Sequence, residues 1–340
     1  MITSEVILKS LSEVGSTTLL ILAGTFVVEA LLYLVLVKWL KYKYALPFML
    51  LAPAAIGLIA LVVYPLLWEL RLSFTNMSLR AFKNPEFIGF KNYVRVFTEP
   101  VLKQKMFFPL LGQTILWTVV NITFHVGGGL FLAMLLNRKL KFKGVYRTLL
   151  ILPWAIPAFI SVLMWQGLLN QSNGAVNVVL GKFGISPVPW LVDPTWACIS
   201  VLMVNIWLGY PFMMTICLSS LQSISKSVYE AADIDGASAW TQFTQITLPL
   251  LKASLIPVLI SNFAFNFNQF TAIYLLTKGG PAVQGSDAGA TDILITYSYK
   301  LAFDLFQYGL ACAYAIFIFV LVATLSGVNF KLTGAFDEAS

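Results

Sequence analysis

"LIPVLISNFAFNFNQFTAIYLL", residues 255–276, is long enough and apolar enough to cross a membrane, yet it carries the side-chain amides of Asn262, Asn266 and Gln269. In a helix, residues i, i+4 and i+7 share one face, so these three amides form a single line. Turned towards lipid, each amide without a partner would cost several kcal/mol on transfer scales. The line must therefore face other helices or a wet cavity. Phe263, Phe265, Phe267 and Phe270 surround it with aromatic rings. An amide both donates and accepts, and amides set among ring faces suit a ligand with hydroxyls and apolar faces, namely a sugar.

The rest of the chain is of the same character. Of its 340 residues, 59% are hydrophobic and 11% charged, with mean hydropathy +0.82. Such a composition cannot be wrapped into one water-soluble domain. The reading is an all-α integral membrane protein. Runs of the length needed to cross about 30 Å of hydrocarbon lie near 17–40, 46–68, 107–136, 148–169, 196–221, 253–276 and 307–330, about seven transmembrane helices. The first run is too long for a removable signal peptide and is kept as a span.

A formal charge of +7 would suggest nucleic acid in a soluble protein, but here the basic residues sit in short connections and are topology signals. No nucleic-acid partner is expected. Lys38, Lys41 and Lys43, and then Arg138, Lys139, Lys141, Lys143 and Arg147, place two connections in the cytoplasm. Residues 71–106 would then lie outside, although they carry Arg71, Arg80, Lys83, Lys91, Arg95, Lys103 and Lys105 against Glu86 and Glu99. Charge alone leaves that conflict open. With the C-terminus cytoplasmic, seven spans put the N-terminus outside, and its few charges, Glu5, Lys9 and Glu13, permit that.

Several chemistries have no residues to support them. The single histidine, His125, stands in a span beside Gly127, Gly128 and Gly129, and its ordinary reading is a hydrogen-bonded interior residue at a close helix contact. Cys198, Cys217 and Cys312 fall within spans at no metal spacing, so no metal site is expected. The segment "GPAVQGS", 280–286, lacks the lysine of a phosphate-binding loop. Glu29 is the only acid well inside a span, with Glu69 at an edge. A proton- or sodium-coupled carrier usually needs more. Uphill transport would draw its energy from a partner, and no catalytic residue is expected here.

A second stripe repeats the first. "NIWLGYPF", 205–212, puts Asn205, Gly209 and Phe212 at the same i, i+4, i+7 spacing, with Pro211 expected to disturb the helix. "LPWAIP", 152–157, frames Trp154 between Pro153 and Pro157, which interrupt regular helical hydrogen bonding. Taken singly, each amide serves as well to hold helices together as to meet a ligand. The two matching faces together point towards a site.

Between the fifth and sixth spans runs "VYEAADIDGASAWTQFTQITLPLL", 228–251: a short helix over Tyr229–Ile234, a turn at Gly236, a helix resuming at Ala237, and Pro249 at the entry to the next span. Glu230-Ala231-Ala232, Gly236 and Ile246-x-Leu248-Pro249 resemble the EAA signature of permease subunits of bacterial ABC importers. From about 46 to 330 the chain resembles the MalF family of maltose and maltodextrin permeases, in "YRTLLILPWAIPAFIS", "NIWLGYPFMM", "YEAADIDGA", "NFAFNFNQF", "LLTKGGP" and "ATDILITYSYKLAF". Two departures show: 71–106 leaves room for only a short external loop where enterobacterial members carry a folded insert, and the seven runs fall one N-terminal span short of the family pattern.

The resemblance implies a type I ABC importer permease fold in the bacterial inner membrane. Its divisions would be an N-terminal tail and first helix (1–45), a second helix and short loop (46–106), a five-helix core (107–330) holding the coupling loop 228–251, and a cytoplasmic tail (331–340). It implies that the coupling loop faces the cytoplasm, which would put 71–106 outside, and that Glu230, Ala231, Ala232 and Gly236 couple to an ATPase. A sugar pocket would fall on Trp154, Asn205, Trp207, Leu208, Gly209, Phe212, Asn262, Phe265, Asn266 and Gln269. The maltose pattern has tyrosine at the positions of Trp154 and Phe212, serine at Asn262 and asparagine at Gln269, which leaves sugar length and linkage open. Implied partners are a MalG-like second permease subunit, a homodimeric ATPase binding ATP and Mg, an extracytoplasmic sugar-binding protein and an oligosaccharide. This chain would hold no cofactor. Docking of the binding protein would fall on 170–195 and 277–306, with Gly279, Gly280 and Pro281. The alternatives are the same machinery carrying trehalose or another oligosaccharide, or a self-sufficient secondary carrier.

Overall fold

In the computed structural model, residues 4–98 and 107–333 are described, and they are almost wholly helical. Among them the only extended pairing is two isolated bridges, Thr75 with Phe87 and Ala282 with Gly289. Glu99, Lys103 and Lys105 of the expected outer loop, and 334–340 of the tail, lie outside the described residues. The chain divides after Arg71 into two units.

The first unit holds α1, Ser4–Leu32, which runs on through wider turns over Tyr33–Trp39, and nearly all of α2, Ala45–Ser73. Each is long and apolar enough to span a membrane, and large side chains such as Leu20, Phe26, Leu50 and Leu61 are exposed. That exposure would be costly in water but suits helices whose solvent is lipid.

The second unit contains α3 (Lys91–Thr98), α4 (Phe107–Asn137), α5 (Lys143–Ala155), α6 (Ala158–Leu168), α7 (Ala175–Lys182) and α8 (Pro194–Ser223). It continues with α9 (Lys226–Ile234), α10 (Ala239–Gln242), α11 (Leu248–Phe267), α12 (Phe270–Thr277), α13 (Leu294–Phe303) and α14 (Tyr308–Thr333). The most extensive helix contact is between α4 and α8. Lipid supplies no hydrophobic drive between helices, so close backbone approach at small residues is what brings them together. Gly129 is such a point: a Cβ there would stand 2.7 Å from the backbone nitrogen of Met214.

Around that pair lie three apolar clusters. One joins α3, α4, α13 and α14 through Val96, Phe107, Leu294 and Tyr314. Another joins α4, α6, α8 and α12 through Trp117, Val162, Val204 and Ile273. The third joins α4, α8 and α11 through Leu136, Cys217, Leu221 and Leu251, with α5 packed beside it.

The spans differ from the regular helices their composition suggests. Five helices have the length and apolarity to cross, and two bent pairs bring the count to seven if each pair is one span. The stretch expected as one span over 148–169, interrupted around Pro153 and Pro157, is built from α5 and α6, turned 93° from one another. Pro157 disfavours helical backbone at the residue before it, and Ile156 is extended, at φ −104° and ψ 131°. Pro153, by contrast, sits inside α5 without ending it. Pro211 likewise lies within an unbroken α8, so that helix is not interrupted.

Pro249 does not separate the coupling loop from the next span, because α10 passes into α11 through wide turns at Phe243–Thr247. The 63° bend falls later, between Lys252 and Ser254, about one turn before Pro257, and a proline inside a helix bends it at the preceding turn. The helix then breaks at Asn268 and Gln269 before α12.

Three stretches expected to be plain connections contain helices: α3, α7 and α13. Asn92 of α3 is buried and donates to the carbonyls of Ser73 (2.9 Å) and Thr75 (2.7 Å). Asn177 of α7 holds its loop by donating to the Gln171 and Val188 carbonyls while accepting from Trp190 Nε1.

Candidate functional site

A cavity of about 560 Å³ opens between α5, α6, α8 and α11. Each of its walls follows from a local feature of the chain. The proline-driven turn after α5 puts Trp154, Ile156 and Pro157 on one side. From α8, Asn205, Leu208, Gly209 and Phe212 face in, and from α11 come Asn262, Phe265 and Asn266, with Gln269 at the break. The two stripes with i, i+4, i+7 spacing thus converge on one space.

Of the ten pocket residues named from sequence, nine line this cavity. Trp207 does not; its ring meets Trp165 edge-on at 5.7 Å. Two residues beyond Asn205 is about 200° around a helix, so Trp207 points away from the face that Leu208, Gly209 and Phe212 continue.

The aromatic and amide parts of the wall have different characters. Trp154 and Phe212 are tilted neighbours with ring centres 5.7 Å apart, and Trp154 (53% exposed) and Phe265 (67% exposed) present open ring faces. The amides lie deeper, with Asn205 and Asn266 only 2% and 1% exposed. Asn205 Nδ2 donates to Asn266 Oδ1 at 3.0 Å and to Asn121 Oδ1 at 2.7 Å. Asn266 Nδ2 donates to the Asn262 carbonyl (2.9 Å) and to Asn262 Oδ1 (2.6 Å). Gln269 Nε2 donates to Asn205 Oδ1 at 3.1 Å, which ties the break before α12 to α8. The stripes are therefore both things a buried amide can be: helix-to-helix hydrogen bonds and the polar floor of a cavity.

Two contributors were missed in the sequence reading. Asn121 of α4, fully buried, holds Asn205 and donates to the Trp117 carbonyl at 2.8 Å. Trp117 Nε1 in turn donates to the Asn266 carbonyl at 3.2 Å. The signal was present, since Trp117, Asn121 and His125 recur every four residues and share a face of α4. His125 behaves as expected of an interior residue and also lines the cavity. Its Nε2 lies 3.1 Å from the Asn205 carbonyl, which can only accept, so the ring donates there. Gly209 leaves the space for that ring, because a Cβ on it would run into the imidazole.

The expected coupling residues form a separate structure. Ser225 caps α9 by accepting from the Ser227 N–H, and Gly236 turns the chain at φ +75°, a conformation that favours glycine. Gln242 Nε2 donates to Asp233 Oδ1 (2.6 Å) and to the Ala237 carbonyl (3.2 Å). The Tyr229 hydroxyl pairs with that of Thr247 at 2.9 Å. Ala232 is buried, while Glu230, Ala231 and Gly236 are exposed, as are the large side chains of Ile234 and Trp240. A short helix is thus braced against the start of a span with an uncovered outer face.

The segment 277–306 also folds tightly. Asp292 is fully buried and pairs with Lys300, while its other contacts are the Gly289 N–H (2.7 Å) and the Thr296 hydroxyl (2.9 Å). Burial pushes its carboxyl above the usual range even though Lys300 beside it pulls the other way. Gly279, at φ +76°, has no room for a Cβ because Asp292 fills the space. Among the described residues, no group of three or more His, Cys, Asp or Glu is arranged to hold a metal ion.

Comparison with known proteins agrees with this architecture. The model of the family "Binding-protein-dependent transport system inner membrane component" matches residues 125–331. The chain is 40% identical over 299 residues to the galactooligosaccharides transport system permease protein GanP of Bacillus subtilis, a match covering 86% of this chain and 71% of that one. It is 47% identical over 253 residues to the maltose/maltodextrin transport system permease protein MalF of Salmonella typhimurium, covering 72% of this chain and 49% of the relative. The match to MalF thus spans about half of that protein's length. Among solved structures, a chain of a bacterial ABC transporter involved in the import of the acidic polysaccharide alginate superposes with TM-score 0.69 at 26% identity, covering 87% of this chain and 98% of the other.

Proposed function

Because this chain belongs to the family of inner membrane components of binding-protein-dependent transport systems, we propose that it forms one half of the path for a neutral oligosaccharide in an ATP-driven importer, with maltodextrins as the foremost cargo. The observation that carries the reading is the cavity itself, in which the open rings of Trp154 and Phe265 and the half-buried ring of Phe212 stand over a floor of amides. Ring faces match the apolar faces of pyranoses, and amides offer donors and acceptors to hydroxyls.

Relatives carry different sugars by name: galactooligosaccharides, maltodextrins and alginate. Charge separates the acidic one from the others. No Lys or Arg lines the cavity among the described residues, and a carboxylated sugar would lose a partner for each charge on entering it. Identity is 47% over 253 residues to MalF against 40% over 299 residues to GanP, which favours α-glucosides over galactosides. Trp154, Phe212, Asn262 and Gln269 are the positions at which chain length and linkage would be read.

The remaining machinery follows from the same reading. A second permease subunit would close the open side of the cavity, and a sugar-binding protein would deliver cargo at the face bearing 170–195 and 277–306. ATP and Mg would be held by a separate pair of ATPase subunits seated on α9. Glu230, Ala231, Ala232 and Gly236 would transmit closure of that pair, because a short braced helix moves the spans attached to it as one body. Family membership speaks against a self-sufficient carrier, and trehalose remains an alternative cargo within the same machinery.

Sugar uptake and sugar-stimulated ATP hydrolysis by the complete importer in proteoliposomes test this. Maltose, maltotriose, longer maltodextrins, β-galactooligosaccharides, trehalose and alginate oligosaccharides would be compared. Stimulation by maltodextrins is expected, none by alginate, and Asn266→Ala is expected to reduce uptake at least tenfold. Uptake of alginate alone, or full uptake by Asn266→Ala, would overturn the reading.

A further inference from the structure

We infer that Asn121, which does not touch the cavity, is a positioning residue that together with Asn266 sets which way the cavity's amides point, and so which hydrogen-bonding groups meet the cargo. The inference rests on the proposed sugar path and names a residue on α4 that acts through Asn205.

Direction in an amide chain is decided at its ends. A backbone carbonyl only accepts, so the group of Asn121 that lies 2.8 Å from the Trp117 carbonyl must be its NH₂. That leaves Asn121 Oδ1 to face Asn205 at 2.7 Å. At the other end, the Asn262 carbonyl holds the NH₂ of Asn266 at 2.9 Å, so Asn266 also offers its oxygen to Asn205. Asn205 therefore stands between two acceptors, both met by its NH₂, and its own oxygen must turn towards Gln269.

The consequence reaches the cavity surface. Gln269 spends its NH₂ on Asn205, and its oxygen is left out of the chain as an acceptor for a hydroxyl. Asn262 spends its oxygen on Asn266, which leaves its NH₂ outside the chain. Without Asn121, one of the two acceptors that fix Asn205 is gone. Asn266 alone then holds the NH₂ of Asn205, so turning Asn205 over opposes one acceptor instead of two, and the acceptor at the wall becomes partly a donor. Asn121 is fully buried and its side chain bonds within the protein at both ends, so its effect must pass through Asn205.

The test uses the assembled importer in proteoliposomes, with maltotriose and a β-galactotriose as the probes. Asn121→Leu keeps the approximate size and removes the hydrogen bonds; Asn121→Ser is the smaller polar variant; Gln269→Ala removes the proposed contact itself. The expected result is a KM for the preferred sugar raised about tenfold in Asn121→Leu with kcat within twofold, and a narrowed preference between the two sugars. The double variant Asn121→Leu with Gln269→Ala should be no worse than Gln269→Ala alone. Fully additive effects, or a fall in kcat alone, would overturn the inference, since a merely structural residue would act that way. If Gln269→Ala impairs uptake and Asn121→Leu does not, the positioning role falls and the sugar path stands. If neither variant changes uptake, or wild type carries neither probe, the cavity reading falls and takes this inference with it. If neither Asn121→Leu nor Asn121→Ser assembles into the complex, Asn121 is a folding residue and the inference is wrong.

Discussion

The floor of the cavity and the knot around Asp292 both bury polar groups, and they do so by opposite means. The cavity uses neutral amides, five of them bonded in sequence across α4, α8, α11 and the break before α12. The knot uses a full charge pair, Asp292 with Lys300, enclosed by glycines that leave no space for side chains. An amide that loses one neighbour still has others, whereas a buried carboxylate that loses its cation has none of equal strength. The amide floor should therefore tolerate single losses and change its binding, while the knot should fail as a unit.

The largest effect is expected from Lys300→Met, which leaves the Asp292 charge uncompensated at a cost of about 3–5 kcal/mol, measured as a fall in thermal midpoint in detergent. The sign of its pH dependence follows from burial. The carboxyl of Asp292 is already raised, and removal of Lys300 raises it further, so the folded state binds a proton that the unfolded chain has released. Stability of this variant should be greatest at acid pH and fall as pH rises through that raised value. Adding Asp292→Asn to Lys300→Met should recover most of the loss. If Lys300→Met alone matches wild type across pH, the knot is no tighter than the amide floor.

Gly209→Ala comes next, because its Cβ would strike the His125 ring. Overpacking of this kind costs about 1–3 kcal/mol, and the displaced ring should also lower sugar uptake. Gly127→Ala is the matched control, since nothing lies near its Cβ. Equal behaviour of the two variants would show that α4 and α8 are not held closely at His125.

The smallest change in stability is expected for Asn266→Ala. Interhelical amide bonds in membranes contribute about 1 kcal/mol or less each, so the thermal midpoint should move little while uptake collapses. A stability loss as large as that of Lys300→Met would make Asn266 a packing residue and erase the contrast between the two regions.

The amide stripes were legible because period and chemistry coincide: Asn262, Asn266 and Gln269 on one helix and Asn205, Gly209 and Phe212 on another each fall on a single face. Trp207, which resemblance put among the pocket residues, lies against Trp165 and off the lining of this cavity, because resemblance carries no angle around the helix. Asn121 was missed because only the two most polar stripes were followed, although α4 has the same four-residue spacing. Prolines were the least readable signal. Pro157 turns the chain by a right angle, whereas Pro153 and Pro211 are absorbed inside helices. Pro153 and Pro211 are buried, whereas Pro157 is exposed.

The sequence by itself determined that this chain lives in a membrane, since its apolar content excludes water as the solvent of most of its surface. It also determined which helix faces are polar, because the side-chain period is a property of the helix alone. Only the tertiary structure decided that those faces meet, that an amide from α4 joins them, and that Asp292 finds Lys300. These depend on how helices cross and where they bend, and crossing is set by the fit of surfaces from distant parts of the chain, which no single segment contains.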